Sequence, residues 1–198
     1  MVDESKVILE IVKKRKAIRK YKDKPIPEKI IRKIIEAGRW GPSIHGIQPW
    51  KFVVIENQRV INTLSQIVTK KLRKINAPGF IFSPTINSLA SCKSIICIYN
   101  TKSLFNFARG LSGKYALNAK IAELLAISGA IQNMVLTAES LGLGSCWLAT
   151  PLFCEKEINK LLGIKNEKLV AILTLGYPQE KGKRSKRKPL SETVKYIR

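Results

Sequence analysis

GPSIHGIQPW, residues 41 to 50, joins a helical pattern ending at Gly38-Arg39-Trp40 to a strand, WKFVVIE, that begins at Trp50. Pro42 and Pro49 each remove a backbone donor and push the residue before them out of the α region. The segment therefore runs irregular and stiff, and its backbone groups need partners. It also holds the only histidine of the chain, His45, together with Ser43 and Gln48. A loop of this composition is either a tight connection or a pre-shaped surface for a flat polar ligand. The stretches on either side of it bear on that choice.

Upstream, residues 27 to 39 read as a helix with Pro27 in its first turn and Ile30, Ile31, Ile34 and Ile35 on its apolar face. Before that, residues 5 to 16 place Val7, Ile8, Ile11 and Val12 at helical spacing, with Ser5 as the expected N-cap. This helix ends in a basic cluster, KKRKAIRKYKDK, from Lys13 to Lys24. Cations at a helix C-terminus complement its dipole, so a solvated end is one reading. Arg15 and Arg19 are four apart, however, and two guanidinium forks on one face can grip a dianion.

Downstream, residues 58 to 75 form a third helical pattern. Residues 76 to 93, NAPGFIFSPTINSLASCK, show no clean period and read as a lid or arm carrying Phe80 and Phe82. SIICIY, Ser94 to Tyr99, is a short buried strand, and 100 to 117 reads as a second irregular stretch. From Asn118 to Leu141 the pattern is apolar nearly all round, as in a helix buried in a core or between subunits. Glu123, Gln132, Asn133 and Glu139 argue against a membrane span. Gly142 and Gly144 stop this helix, and SCWLATPLFC follows as a short strand running into Thr150-Pro151. A short helix at 154 to 162 and a buried strand at 168 to 175 complete the pattern. Four strands and five helices without βαβ alternation predict one α+β domain over residues 1–198, its mainly antiparallel sheet sandwiched by helices. A basic arm, from about 179 to 198, closes it.

The balance of 36 Lys and Arg against 14 Asp and Glu gives a net charge of +22 and a positive field that attracts anions. The cations are spread over several segments with no accompanying stacking motif, so a specific nucleic-acid partner is not expected, although a basic nucleic-acid-binding protein is the alternative from another class. Cys92, Cys97, Cys146 and Cys154 form no Cys-x-x-Cys pair, and with a single histidine no metal site is expected. They read as reduced thiols of a cytoplasmic protein without membrane association. LGLGSCW follows a helix, not a strand, which is the wrong setting for a dinucleotide-binding glycine turn. With no acid–base or metal device in view, difficult chemistry would need a cofactor.

RKAIR (Arg15 to Arg19), GPSIHGIQPW, and GLGSCWLATPL continuing through LGYP to KRKPL (Gly142 to Leu190) occur in this order over nearly the whole chain. Together they resemble the nitroreductase family of FMN-dependent flavoproteins. The resemblance implies an intertwined homodimer with FMN at the interface, NAD(P)H as electron donor, and a small electron-poor molecule as acceptor in a ping-pong cycle. Arg15, Lys16 and Arg19 match the motif that holds the FMN phosphate, with Ala17 where the family usually has Ser, and Arg187 matches the C-terminal arginine that reaches the same group. Pro42, Ser43 and Gln48 match the loop laid over the flavin of the partner, with Gly46 where Asn is usual. Leu148, Ala149 and Thr150 match the strand end facing the isoalloxazine edge. Thr150, followed by Pro151, resembles the hydroxyl that hydrogen-bonds flavin N5 in the iodotyrosine deiodinase branch, which implies a reductive dehalogenase-like enzyme as the alternative. The Glu-x-x-x-Tyr element of that branch does not occur between residues 60 and 93.

Overall fold

Seven consecutive buried residues, Ser94 to Asn100, demand a strand covered on both faces. In the computed structural model, which describes residues 3–75 and 79–198, that strand lies inside a four-stranded sheet. In chain order the helices are α1 (Glu4–Lys14), α2 (Glu28–Arg39), α3 (Gln58–Lys74), α4 (Gly79–Ser91), α5 (Ser103–Arg109), α6 (Gly113–Ser140), α7 (Glu155–Leu162) and the single turn α8 (Leu190–Thr193). The strands are β1 (Trp50–Ile55), β2 (Ser94–Asn100), β3 (Gly144–Leu148) and β4 (Lys168–Gly176). Their order is β1-β2-β4-β3 and every pairing is antiparallel. The expected α+β architecture is borne out.

Alternation along β2 builds two cores. Ile95, Cys97 and Tyr99 meet Ile61, Leu64 and Val68 of α3, Leu89 of α4 and Ile158 of α7. Ile96 and Ile98 meet Ile31 and Ile34 of α2 and Ile127, Ile131 and Met134 of α6. Each such side chain contributes roughly 1.5–3 kcal/mol by leaving water, so the sheet is held from both sides.

Local chemistry sets the helix ends. Asn57 caps α3 by accepting from Arg59 N at 2.9 Å and Val60 N at 3.3 Å. At α1 the cap is Asp3, which accepts from Lys6 N, and Ser5, the expected cap, instead donates its hydroxyl to Asp3. The carboxylate outcompetes the hydroxyl because it accepts more strongly at a positive helix end.

Two segments differ from expectation. The stretch expected to be an irregular lid or arm is mostly helix α4, which carries Pro84 in its interior; residues 76–78 of it lie outside the described residues. Phe82 and Leu89 of α4 are buried, whereas Phe80 is exposed. Proline and an apolar pattern without a clear face hid this helix. Residues 100–117, expected to be irregular, contain α5 and the first turns of α6, which begins at Gly113 with Ser112 as its cap. The apolar face of α1 also departs from a simple core helix: no α1 residue is buried, and Val7, Ile8, Leu9 and Val12 are exposed.

Candidate functional site

The basic cluster leaves α1 and runs along the edge of the sheet. Ile18 N donates to the Ser145 carbonyl at 2.9 Å, and Lys22 N to the Tyr177 carbonyl at 2.8 Å. Ala17 and Tyr21 form single bridges to Ser145 and Pro178, so residues 15–22 lie against β3 and the exit of β4. Tyr21 fixes this placement from inside. Its hydroxyl donates to the Ile18 carbonyl at 2.5 Å and lies 2.9 Å from Thr174 Oγ1, which in turn lies 2.6 Å from Ser88 Oγ. Burial raises the Tyr21 hydroxyl well above its usual range, so it stays protonated and able to donate.

Pinned this way, Arg15, Lys16, Ala17 and Arg19 form one wall of an open cavity of about 590 Å³. Lys183, Arg184, Ser185 and Arg187 of the C-terminal tail form the other, with Lys13 at the edge. Among the described residues, none of these cations is in an ion pair with a carboxylate. Arg19 Nε is buried and without a hydrogen-bond partner. An orphaned guanidinium donor beside unneutralised cations fits a dianionic group such as a phosphate monoester. Burial pushes the nearby Cys146 thiol up, and the Arg19 charge pulls it partly back.

The other expected site residues lie apart from this cavity. Pro42, Ser43, Gly46 and Gln48 belong to a loop lying on α6, where Pro42 approaches the space beside Gly129. Gln48 N donates to Ser43 Oγ at 3.2 Å. His45, Gly46 and Gln48 have φ of 49°, 66° and 50°. Glycine adopts this left-handed region most readily, which gives a backbone reason for Gly46. Leu148, Ala149 and Thr150 stand at the end of β3, buried, exposed and half-buried respectively. Within one chain the expected residues thus form three groups: the cavity wall, the loop and the strand end. Lys13, Lys183 and Arg184 line the cavity and were not singled out from sequence, where they look like any solvated basic run.

An α+β fold with a cationic cleft shared by both ends of the chain defines the class. The chain belongs to the nitroreductase family, whose sequence model matches residues 12–177. The NADH dehydrogenase of Thermus thermophilus is 27% identical over 191 residues, covering 91% of each chain. Iodotyrosine deiodinase 1 of Homo sapiens is 26% identical over 210 residues, covering 98% of this chain and 70% of that protein. A structure from Desulfovibrio desulfuricans solved in complex with FMN is 25% identical, with a TM-score of 0.72 and 96% of each chain covered.

Proposed function

We propose that this protein is an FMN-dependent oxidoreductase that takes electrons from NAD(P)H and delivers them to nitroaromatic, quinone or similar electron-poor acceptors in a ping-pong cycle. The observation that carries the proposal is the cavity lined by Arg15, Lys16, Arg19 and Arg187, in which Arg19 also keeps a buried, unpartnered Nε. In this reading those four cations hold the FMN phosphate, and Ala17 supplies only backbone. FMN, when bound, would supply the redox chemistry between the nicotinamide and the acceptor. The chain would supply positioning: Leu148, Ala149 and Thr150 at the end of β3 would hold the ring system, with Thr150 as the hydroxyl donor to it.

The reading includes a homodimer. Along α6, Leu117, Ile121 and Leu125 recur at intervals of four on one face and are exposed, with Leu124 beside them. The apolar face of α1 is exposed too. Exposed apolar side chains on two helices fit a subunit interface, and Pro42, Ser43, Gly46 and Gln48 would then cover the flavin of the partner. Four free, buried cysteines accord with work in a reducing cytoplasm.

A yellow purified protein whose flavin absorbance bleaches anaerobically on adding NADH or NADPH, and returns on adding a quinone or nitroaromatic, is the expected result. A colourless protein that takes up no added FMN overturns the proposal. A second reading, reductive dehalogenation at the same site, draws on the human deiodinase relative and on Thr150 before Pro151. Halide release from halophenols in the same acceptor panel separates the two.

A further inference from the structure

Building on the flavin reading above, we infer that the electron donor is the phosphorylated nicotinamide, NADPH, and that Lys13, Lys183 and Arg184 receive its 2′-phosphate. The cavity carries more positive charge than one phosphate monoester balances. Arg15, Lys16, Arg19 and Arg187 already exceed the charge of roughly −1.5 to −2 on such a group. Lys13, Lys183 and Arg184 add three more cations to the same cavity. A carboxylate beside the wall, Glu180, accepts from Arg19 N at 2.7 Å and offsets one charge. The three surplus cations have no ion-pair partner among the described residues.

Exposure separates the surplus from Arg15, Lys16 and Arg19, which are half-buried, though not from Arg187, which is exposed on the same tail. Lys183 and Arg184 sit on the exposed, extended tail, and Lys13 in the exposed last turn of α1. Exposed cations of this kind suit a ligand that comes and goes. NADH and NADPH differ only in the 2′ substituent. A neutral hydroxyl leaves the surplus charge unbalanced, whereas a phosphate meets it with charge-assisted hydrogen bonds. The volume of about 590 Å³ is in the range of whole-ligand sites.

The test uses the flavin-loaded protein. Adenosine 2′,5′-bisphosphate and adenosine 5′-monophosphate are titrated by calorimetry, and kcat and KM are measured for both nicotinamides. The bisphosphate is expected to bind roughly tenfold or more tightly than the monophosphate, as hydrogen bonds to charged groups allow, and rising salt should erode the difference. In the double variant Lys183→Ala/Arg184→Ala the advantage should be lost, with KM for NADPH rising relative to NADH while kcat is kept. Equal binding of the two nucleotides, or an advantage that survives the double variant, overturns the inference and leaves the flavin reading standing. A protein that takes up no FMN overturns that reading and this inference with it.

Discussion

Ile18 and Gly144 touch so closely that a Cβ added at Gly144 would stand 2.7 Å from Ile18 Cβ. The contact lies next to the 2.9 Å hydrogen bond from Ile18 N to the Ser145 carbonyl, so it sets how near the cationic wall can come to β3. The branched Ile18 side chain is buried and cannot swing away.

Gly144→Ala therefore forces the wall outward. The expected cost is about 1–3 kcal/mol, the usual range for overpacking, read from the midpoint shift in urea unfolding. Flavin retention should fall in parallel, because Arg15 and Arg19 lie on the displaced segment. Unchanged stability and flavin content would mean that the segment docks more loosely than its contacts imply.

Arg19 and Ala17 test the phosphate assignment from opposite directions. Arg19→Ala removes the orphaned donor and should weaken FMN binding by about 1.5–3 kcal/mol, the range for hydrogen bonds to charged groups. Arg19→Lys should recover only part of this, since an ammonium lacks the planar fork. Ala17→Ser adds a hydroxyl to the cavity wall and should tighten FMN by about 0.5–1.5 kcal/mol. Equilibrium dissociation of FMN from each variant, followed by fluorescence, provides the measurement.

The legible parts of the chain were those where one physical rule acts alone. β2 stood out because the apolar run SIICIY, Ser94 to Tyr99, reads as a short buried strand, and α2 because its isoleucines repeat at helical spacing. The wall residues Arg15, Lys16, Arg19 and Arg187 were legible only through the combined motifs, since their convergence depends on the C-terminal tail folding back beside the end of α1. What stayed hidden obeys competing rules. α4 carries Pro84, which argues against a helix from sequence, yet packing of Phe82 and Leu89 overrides it. α5 begins after Lys102 at φ 59° with no side-chain cap of its own, so nothing nearby announces it. Its missing cap is supplied from another helix.

That substitute is Glu123 of α6, only 1% exposed. Its Oε1 accepts from Leu104 N at 2.8 Å and Phe105 N at 3.2 Å, and its Oε2 from Asn100 Nδ2 at 2.9 Å. A negative charge at the first turn of α5 also suits the helix dipole. Glu123→Ala abandons three buried or half-buried donors, each costing about 1–3 kcal/mol, and should destabilise the protein by several kcal/mol. Glu123→Gln keeps acceptors for some of them and should cost less. Amide exchange should quicken first at Leu104 and Phe105, ahead of global unfolding.

The buried thiols set a limit at high pH. Burial pushes Cys92 and Cys97 from an ordinary 9.0 up to about 12. A folded-state value raised above the unfolded one gives a stabilising contribution that is complete below pH 9 and fades as pH climbs toward 12. Stability in urea should accordingly fall above about pH 9, and Cys97→Ala should flatten that fall at some cost in packing. At about pH 8 neither thiol should react with a disulfide reagent until urea unfolds the chain. Rapid labelling of Cys97 in the native protein would contradict its burial.

Leu125 decides whether the exposed face of α6 is an interface. It is 68% exposed in the single chain, and Ile121, one turn earlier, is 49% exposed. Residues this open contribute little to the fold of one subunit, so Leu125→Glu should leave the secondary structure of the protomer intact. Buried in a dimer, the same carboxylate would be desolvated without a partner, a penalty of several kcal/mol. Sedimentation should then show the wild type as a dimer and the variant shifted toward monomer. If Gln48 and Ser43 cover the flavin of the neighbouring subunit, the variant should also lose FMN although every cation of the phosphate cavity is unchanged. A variant that stays dimeric and fully yellow would place the interface elsewhere, and the exposed faces of α1 and the tail would be the surfaces to charge next.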